Sequence, residues 1–469
     1  MTLKDTLVLA CTRTKYLEKS RHWRNRTHGL LGVFGFRTFE MKKATMEPLS
    51  QQRKNQQIPC GEGNTILVVL TTGLSLAFIF QIYLFSLLLQ RDNVILKNSA
   101  VFNYKRYFAI ANSLSVRNNT PTSSSFCITF LGDTMMANSG VDAAHELSHP
   151  RDSFRYIQPL IQKCETVIAN LEGPITHLGL DSDPLHQGPS YSFNMNPDLL
   201  PHLLIEQGIT KVNRANNHLR DRGEAGAVDT NHYLDASGID FFGCGRTKQE
   251  AAKPLLLNID NEAKTVIGIT GYSDYYGRGV LPSPKRNQTG ILPVTKEHAL
   301  LGRQLLDQHN VTLRIAFVHW GGNYEPVSNN MRQQAKLLVK KGGYDLILGS
   351  DGSHTVQEFD YVDKVPVLYN IGNFLFQTPG RFQKSTTKSL PYGLVTHLHL
   401  DPSGQRFKSL ELHCTHVDNR KVHFQPRICT KSQAAQLFGS LGPHVRYRKG
   451  NSYATVMLDS RDKNRPVGG

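Results

Sequence analysis

The stretch FCITFLGD, residues 126–133, is an apolar run of strand length that stops abruptly at Gly132-Asp133. A strand apolar on both faces belongs to a sheet covered on both sides, so a carboxylate at its end lies at the rim of a buried layer. The same form recurs downstream. TVIANLE (166–172) ends at Glu172, ITKVNRANNH (209–218) at Asn217 and His218, RIAFVHWG (314–321) at His319, and YDLILGSDGSH (344–354) at Asp351 and His354. Three further runs, IDFFGCG (239–245), TVIGITGYS (265–273) and VPVLYNIGNFLF (365–376), read as strands without such an ending.

Helix-like segments alternate with these runs from Ser125 to about Ser440, the pattern of one α/β domain. NPDLLPHLLIEQG reads as a helix with Asn196 as N-cap and Gly208 at its end, and NMRQQAKLLVKKGG as one closing on Lys340, Lys341 and Gly342. In open α/β sheets the carboxyl ends of the strands face one crevice, so Asp133, Glu172, Asn217, His218, His319, Asp351 and His354 are expected to meet there. Singly, each residue is weak evidence: Gly-Asp after a strand is usually a turn, and a lone histidine is usually a core or surface residue. Five such endings together make a metal site the better reading. Mixed carboxylate, amide and imidazole donors suit Zn, Mn or Fe, and one or two such ions activate water and clamp a phosphoryl group.

In these same segments the chain resembles a known family. FLGDTMM (130–136), VIANLEGPIT (167–176), ANNHLRDRGEAGAVDT (215–230) with GIDFFGCG (238–245), FVHWGGNYE (317–325) and VPVLYNIGNFLF are similar, in order and spacing, to the motifs of CapA-type capsule-biosynthesis proteins, also called poly-gamma-glutamate biosynthesis proteins. The resemblance covers Phe126 to Phe376. It implies a calcineurin-like metallophosphoesterase fold, a four-layer sandwich of two sheets covered by helices. It also implies roles: Asp133 as a first metal ligand, Glu172 in the bridging carboxylate position, Asn217 as ligand to a second metal, His218 as acid or phosphate-orienting group, and His319 as a further ligand. Trp320 and Tyr324 are expected to line the pocket or pack, and Asn373 to orient a loop. One segment departs from the family. Where relatives show Gly-x-His-Pro-His, this chain reads GSDGSHTVQ (349–357), which keeps His354, lacks the earlier histidine and inserts one residue. Either Asp351 replaces that histidine as an oxygen ligand, or the site holds one metal or none.

With 39% hydrophobic and 20% charged residues, the 469-residue chain has the composition of a folded protein, which sets aside low-complexity and collagen-like classes. The net charge of +16 suggests a polyanionic partner, but no nucleic-acid-binding motif accompanies it. Residues 1–64 carry 12 Lys and Arg against 5 Asp and Glu, and residues 65–90 form an uncharged run, TILVVLTTGLSLAFIFQIYLFSLLLQ. That run is long enough to cross a bilayer and starts too far into the chain for a cleaved signal, so it reads as a retained anchor. The basic flank before it places the N-terminus in the cytoplasm and the rest outside.

The expected organisation is a basic cytoplasmic arm (1–64), a transmembrane helix (65–90), a Ser/Thr/Asn/Pro-rich stalk (91–124), the catalytic-type domain (125–440) and a loose tail (441–469). Of the five cysteines beyond the span, Cys414 and Cys429 are the one candidate pair, while Cys127, Cys164 and Cys244 read as small buried residues. The function expected from the resemblance is synthesis, export or attachment of an anionic capsular polymer such as poly-gamma-glutamate. The bound metals would serve hydrolysis or transfer on that polymer or its lipid carrier. The competing expectation is a non-enzymatic scaffold that holds polymer or partner membrane proteins through its basic charge.

Overall fold

A computed structural model describes residues 126–458 except 137–146, 148, 183–191, 260–261, 263, 275–287, 352 and 383–388. The arm, the 65–90 run and the stalk lie outside the described residues, and among those described no helix is long and apolar enough to cross a membrane.

Two sheets form the frame. The first contains β1 (Cys127–Met135), β2 (Thr166–Leu171), β3 (Ile209–Asn213) and β4 (Asp240–Phe242) as parallel neighbours. The second contains β5 (Leu255–Asn258), β6 (Val266–Ser273), β7 (Leu313–Trp320), β8 (Leu346–Asp351), β9 (Phe359–Val362) and β10 (Val365–Leu368), ordered 5-6-7-8-10-9. The first sheet is completed on the side of β1 away from β2, where β11 (Asn373–Phe376) pairs with the end of β1 and β12 (Tyr392–Leu400) with its start, followed by β13 (Phe407–His416), with β14 (Arg427–Ile428) and β15 (Tyr453–Met457) against β13.

Alternation along the strands sorts the side chains into layers. Ile128 and Phe130 of β1, Ile267 and Ile269 of β6, and Ile315 and Phe317 of β7 share the central core between the sheets, with the Phe130 and Phe317 rings edge-to-face at 5.5 Å. Burying each such ring contributes on the order of 1.5–3 kcal/mol. On its other face the first sheet packs Leu131 and Ala169 against α1 (Gln158–Ile161), α2 (Leu200–Glu206) and Leu234 of α3 (Gly223–Ala236). The second sheet packs Ala316 and Val318 against α4 (Lys248–Ala252), α5 (Lys296–Gln308) and α6 (Asn329–Leu337). The result is helix, sheet, sheet, helix, the four layers that the family resemblance implies. Two short helices, α7 (Asn419–Val422) and α8 (Lys431–Ser440), follow β13, and α8 closes one end of the central core with Leu437 and Phe438.

VPVLYNIGNFLF is two strands rather than one, and they belong to different sheets. β10 pairs with β8 in the second sheet and β11 with β1 in the first, and residues 369–372 cross between them. Two glycines make room for this crossing. A Cβ on Gly132 would stand 1.7 Å from the Gly372 carbonyl oxygen, and one on Gly349 would stand 1.7 Å from the Tyr369 carbonyl oxygen. Gly132 immediately precedes Asp133, so the close approach of the crossing fixes the end of β1 where the carboxylate emerges.

Other expectations need correction. ITKVNRANNH is strand only to Asn213, and Asn216 to His218 form a loop. Helix α2 starts at Leu200 because the Asn196 side chain accepts the Asp198 N–H at 2.9 Å in a turn before it. The helix after Ser328 widens into a π-helical turn at Leu338–Gly342 and ends on the left-handed Gly343, one residue later than read. Cys127 and Cys164 are not separate buried thiols but form a disulfide, because β1 and the turn before β2 bring their Cα atoms to 5.3 Å. Cys414 and Cys429 form the pair the sequence suggested, and Cys244 is a buried free thiol. Beyond Ser440 the chain is not loose throughout, since β15 adds an ordered strand to β13.

Candidate metal centre

Asp133 lies near the end of β1, fully buried, and pairs in register with Asn170 of β2 on one side and Asn373 of β11 on the other. Glu172 follows β2 directly and is 2% exposed; His319, one residue before the end of β7, is 1% exposed. One ligand atom from each of the three lies within 4.8 Å of the others, the one grouping of its kind among the described residues. Two carboxylates buried this close repel one another unless a proton or a cation lies between them, so the donor set itself fits a divalent ion. Burial alone would raise the Asp133 carboxyl, but His319 and a hydrogen bond with Glu172 outweigh it and hold the group below its ordinary value.

His319 joins the sheets. Its Nδ1 is 3.6 Å from Asp133 Oδ1 and 3.3 Å from Asn170 Nδ2, while its Nε2 donates to Asn217 Oδ1 at 2.9 Å. Asn217 and His218 come from the loop after β3, which is strapped down by Asn216: its Nδ2 donates to the Leu171 carbonyl at 2.8 Å and its Oδ1 accepts the His218 N–H at 3.2 Å. His218 Nδ1 donates to Asp221 Oδ2 at 2.6 Å, and its ring stacks on Phe193 with centroids 4.0 Å apart. These contacts fix the imidazole so that Nε2 faces Glu172 Oε1 at 3.5 Å. An imidazole anchored through Nδ1 and presenting Nε2 to a polar site is placed for proton transfer or for hydrogen bonding to an anionic group.

The structure therefore brings Asp133, Glu172, Asn217, His218 and His319 into one cluster. His354 reaches the same region from the other sheet: it has a φ of 60°, its Nδ1 donates to Asn373 Oδ1 at 3.2 Å, and its ring lies 5.0 Å from Phe376 and 5.1 Å from Tyr324. Burial pushes its pKa down to about 4 against the opposing pull of Asp133. Asn373 thus holds the loop that carries His354. Asp351 ends β8 opposite Trp320, and its side chain lies outside the described residues. Trp320 faces the helical side instead, where its Nε1 donates to the Tyr369 carbonyl at 2.6 Å and its ring packs in the apolar layer.

Sequence reasoning missed Asn170, Asp221 and Asp274. Asn170 Nδ2 donates to Asp133 Oδ1 at 2.6 Å, and Asn170 Oδ1 accepts from Asn213 Nδ2 at 3.2 Å, so it ties β1, β2 and β3 together under the site. The available signal was an amide in the middle of an apolar strand. Asp221 stands three residues after His218, where a turn brings its carboxylate back to the ring. Asp274 follows β6, accepts the Gly321 N–H at 3.4 Å and is raised by burial to about 6.

Known proteins share these segments. Residues 127–378 match the family described as bacterial capsule synthesis protein PGA_cap. PGA biosynthesis protein CapA of Bacillus subtilis (strain 168) is 25% identical over 247 residues, covering 53% of this chain and 62% of that protein. Capsule biosynthesis protein CapA of Bacillus anthracis is 23% identical over 255 residues, covering 53% of this chain and 59% of that protein. In both cases the match spans less than two-thirds of the relative's own length. Among solved structures, the calcineurin-like phosphoesterase YfkN from Bacillus subtilis aligns with 61% of this chain and 88% of its own, at 14% identity and a TM-score of 0.34. A Thermus thermophilus protein, TT1561, aligns with 61% of this chain and 98% of its own, at 9% identity and a TM-score of 0.31. The family match runs from the first residue of β1 through β11 and takes in every residue of the cluster just described. With more than half of its length inside that match, the chain belongs to the PGA_cap family of bacterial capsule synthesis proteins.

Proposed function

We propose that this protein is a membrane-anchored hydrolase or transferase whose extracytoplasmic domain works with one or two divalent metal ions on a capsular polyanion such as poly-gamma-glutamate, or on its lipid carrier. The observation that carries the reading is the buried Asp133, Glu172 and His319 triad, with ligand atoms within 4.8 Å of one another, flanked by the anchored His218. The names of the Bacillus relatives supply the polymer class.

Asp133, Glu172 and His319 would hold the metal, with Asn217 beside them and Asp351 or His354 completing the set. Bound there, a Zn, Mn or Fe ion supplies a Lewis acid and a water of lowered pKa. Around it the chain's own residues divide the work. Asn170 fixes the Asp133 carboxylate by donating to Oδ1, and Asn216 fixes the loop that carries Asn217 and His218. Asp221 keeps the proton of His218 on Nδ1, so a protonated His218 has its second proton on Nε2, ready for a leaving oxygen or nitrogen. Phe193, stacked on that ring, shields it from water. The uncharged run at residues 65–90 and its basic flank support the anchored, outward-facing topology.

The purified full chain, assayed on a generic phosphodiester and on poly-gamma-glutamate, is expected to turn over one of them. Chelation should stop the reaction, added Mn or Zn should restore it, and Asp133→Ala should lack it. A metal-loaded, folded protein that cleaves or transfers neither would end the enzyme reading in favour of a scaffold. For topology, protease added to intact cells should reach the domain after Ser125; digestion of the N-terminal arm alone would reverse the orientation.

A further inference from the structure

Charge is divided unevenly along the chain. Residues 127–378, the part that matches the family, carry 22 Lys and Arg against 27 Asp and Glu, whereas residues 419–458 carry seven Lys and Arg and no acidic residue. A domain of net negative charge repels a polyanion, so attraction has to come from a region of the opposite sign. Arg420, Lys421, Arg427 and Lys431 are exposed, as are Arg446, Arg448 and Lys449. Lys421 lies 4.0 Å from Asp418, and none of the other six is in an ion pair among the described residues.

This basic segment starts at the rim of the metal centre. β12 runs antiparallel to β1 and β13 antiparallel to β12, so the carboxyl end of β13 lies at the same edge of the sheet as Asp133. Three residues beyond that end, the Asn419 side-chain amide donates to the Phe376 and Thr378 carbonyls. The Phe376 ring in turn lies 5.0 Å from His354 and 5.5 Å from Phe193. Val417 packs with Tyr324 and Phe382, and the Tyr324 ring meets His354. From this rim the cations continue as one strip. Burial lowers the His416 pKa, Asp418 opposes it, and Lys421 and Arg427 lower it further, which places both cations near that one ring. Gln433 of α8 reaches the same ring, with its Nε2 3.4 Å from His416 Nδ1, and the Cys414–Cys429 disulfide pins the segment to β13. The Tyr447 hydroxyl donates to the Lys431 carbonyl at 3.3 Å, so residues 446–449 lie against the start of α8.

We infer that this strip is the docking surface for the anionic polymer, holding several of its carboxylates at once and leading the chain to the metal centre. The inference rests on the polyanion reading given above and deepens it, because it assigns recognition of the polymer to residues beyond the family-matched part. Arg420 and Lys421 hold the stretch of polymer next to the centre, and residues 446–449 hold a stretch farther along. A surface for lipid headgroups has no reason to begin at the Asp133 edge, whereas a polymer that reacts there has to pass over it. Cationic side chains that neutralise a polyanion release its condensed counterions, so binding of this kind weakens steeply with added salt.

The test is binding of labelled poly-gamma-glutamate to the full chain in uncharged detergent, with a chelator present so that turnover does not intrude. Saturable binding that weakens with salt is expected. Arg420→Gln, Lys421→Gln and Arg427→Gln together should lower the affinity on the order of 10-fold and flatten its salt dependence. Neutralising three exposed lysines of the helical layer on the second sheet, Lys296→Gln, Lys336→Gln and Lys341→Gln, removes the same net charge and should leave the affinity unchanged. Hydrogen exchange across residues 419–449 should slow when polymer is added. The inference is overturned if the folded protein shows no saturable binding, or if the two triple variants lose affinity equally. It is also overturned if phosphatidylglycerol in the micelle, and not the polymer, slows that exchange, which would give the strip to a membrane. Failure of the enzyme reading is distinguishable. A chain that binds polymer through the strip and turns over nothing loses only the reaction, whereas a metal-loaded chain that cleaves a phosphodiester and ignores the polymer loses only the docking surface.

Discussion

The two sheets contribute to the centre in different ways. From the first sheet come Asp133, Asn170 and Glu172 on adjacent parallel strands, and Asn217 and His218 on a loop strapped to β2. Their positions follow from strand register and are cross-linked by amide hydrogen bonds. From the second sheet come His319 on the regular strand β7 and His354 on a segment in left-handed conformation, held by Asn373 of the first sheet. A half built from strand ends is preorganised when the sheet forms. A half built from a loop depends on its neighbour, and it is this half that departs from the family pattern at residues 349–357.

This contrast can be broken by substitution. Asp133→Ala removes a donor from the preorganised half, and turnover is expected to fall on the order of 10³-fold with loss of bound metal, measured by element analysis beside the activity assay. His218→Asn should cost on the order of 10²–10⁴ in rate while metal content stays at the wild-type level. Metal loss in that variant would show His218 to be a ligand and merge the two roles. Gly132→Ala pushes a methyl group into the Gly372 carbonyl at the crossing that joins the halves, and chemical denaturation should register a loss of about 1–3 kcal/mol. The smallest effect is expected at His354→Ala, with metal affinity down about 10-fold and the fold intact. A loss as large as that of Asp133→Ala would mean that the loop half is as essential as the strand half.

The difference also separates what the sequence disclosed from what it concealed. Asp133, Glu172 and His319 were legible because each ends an apolar run, and a strand end in a parallel sheet has few places to go. Asn170 was passed over because it lies within such a run, where its amide looked incidental. Its role emerges only from the register that sets it beside Asp133. Asp221 required knowing how the loop after β3 turns, and periodicity says nothing about turns of that kind. The chain crossing at residues 369–372 was hidden because β10 and β11 read as one continuous apolar segment, although Gly372, with a φ of 72°, breaks it. The Cys127–Cys164 pairing was hidden because cysteine spacing does not give connectivity. Substitution of Asp351, the other residue of the altered segment, belongs beside His354→Ala in the same metal titration.

The central claim, a metal ion held by both sheets at Asp133, Glu172 and His319, is tested most directly by anomalous diffraction from crystals of the protein equilibrated with Mn or Zn. The account predicts a peak bounded by those three side chains in the wild type and none there in Asp133→Ala. Strong peaks elsewhere, with nothing between Asp133, Glu172 and His319 in well-ordered wild-type crystals, would contradict it.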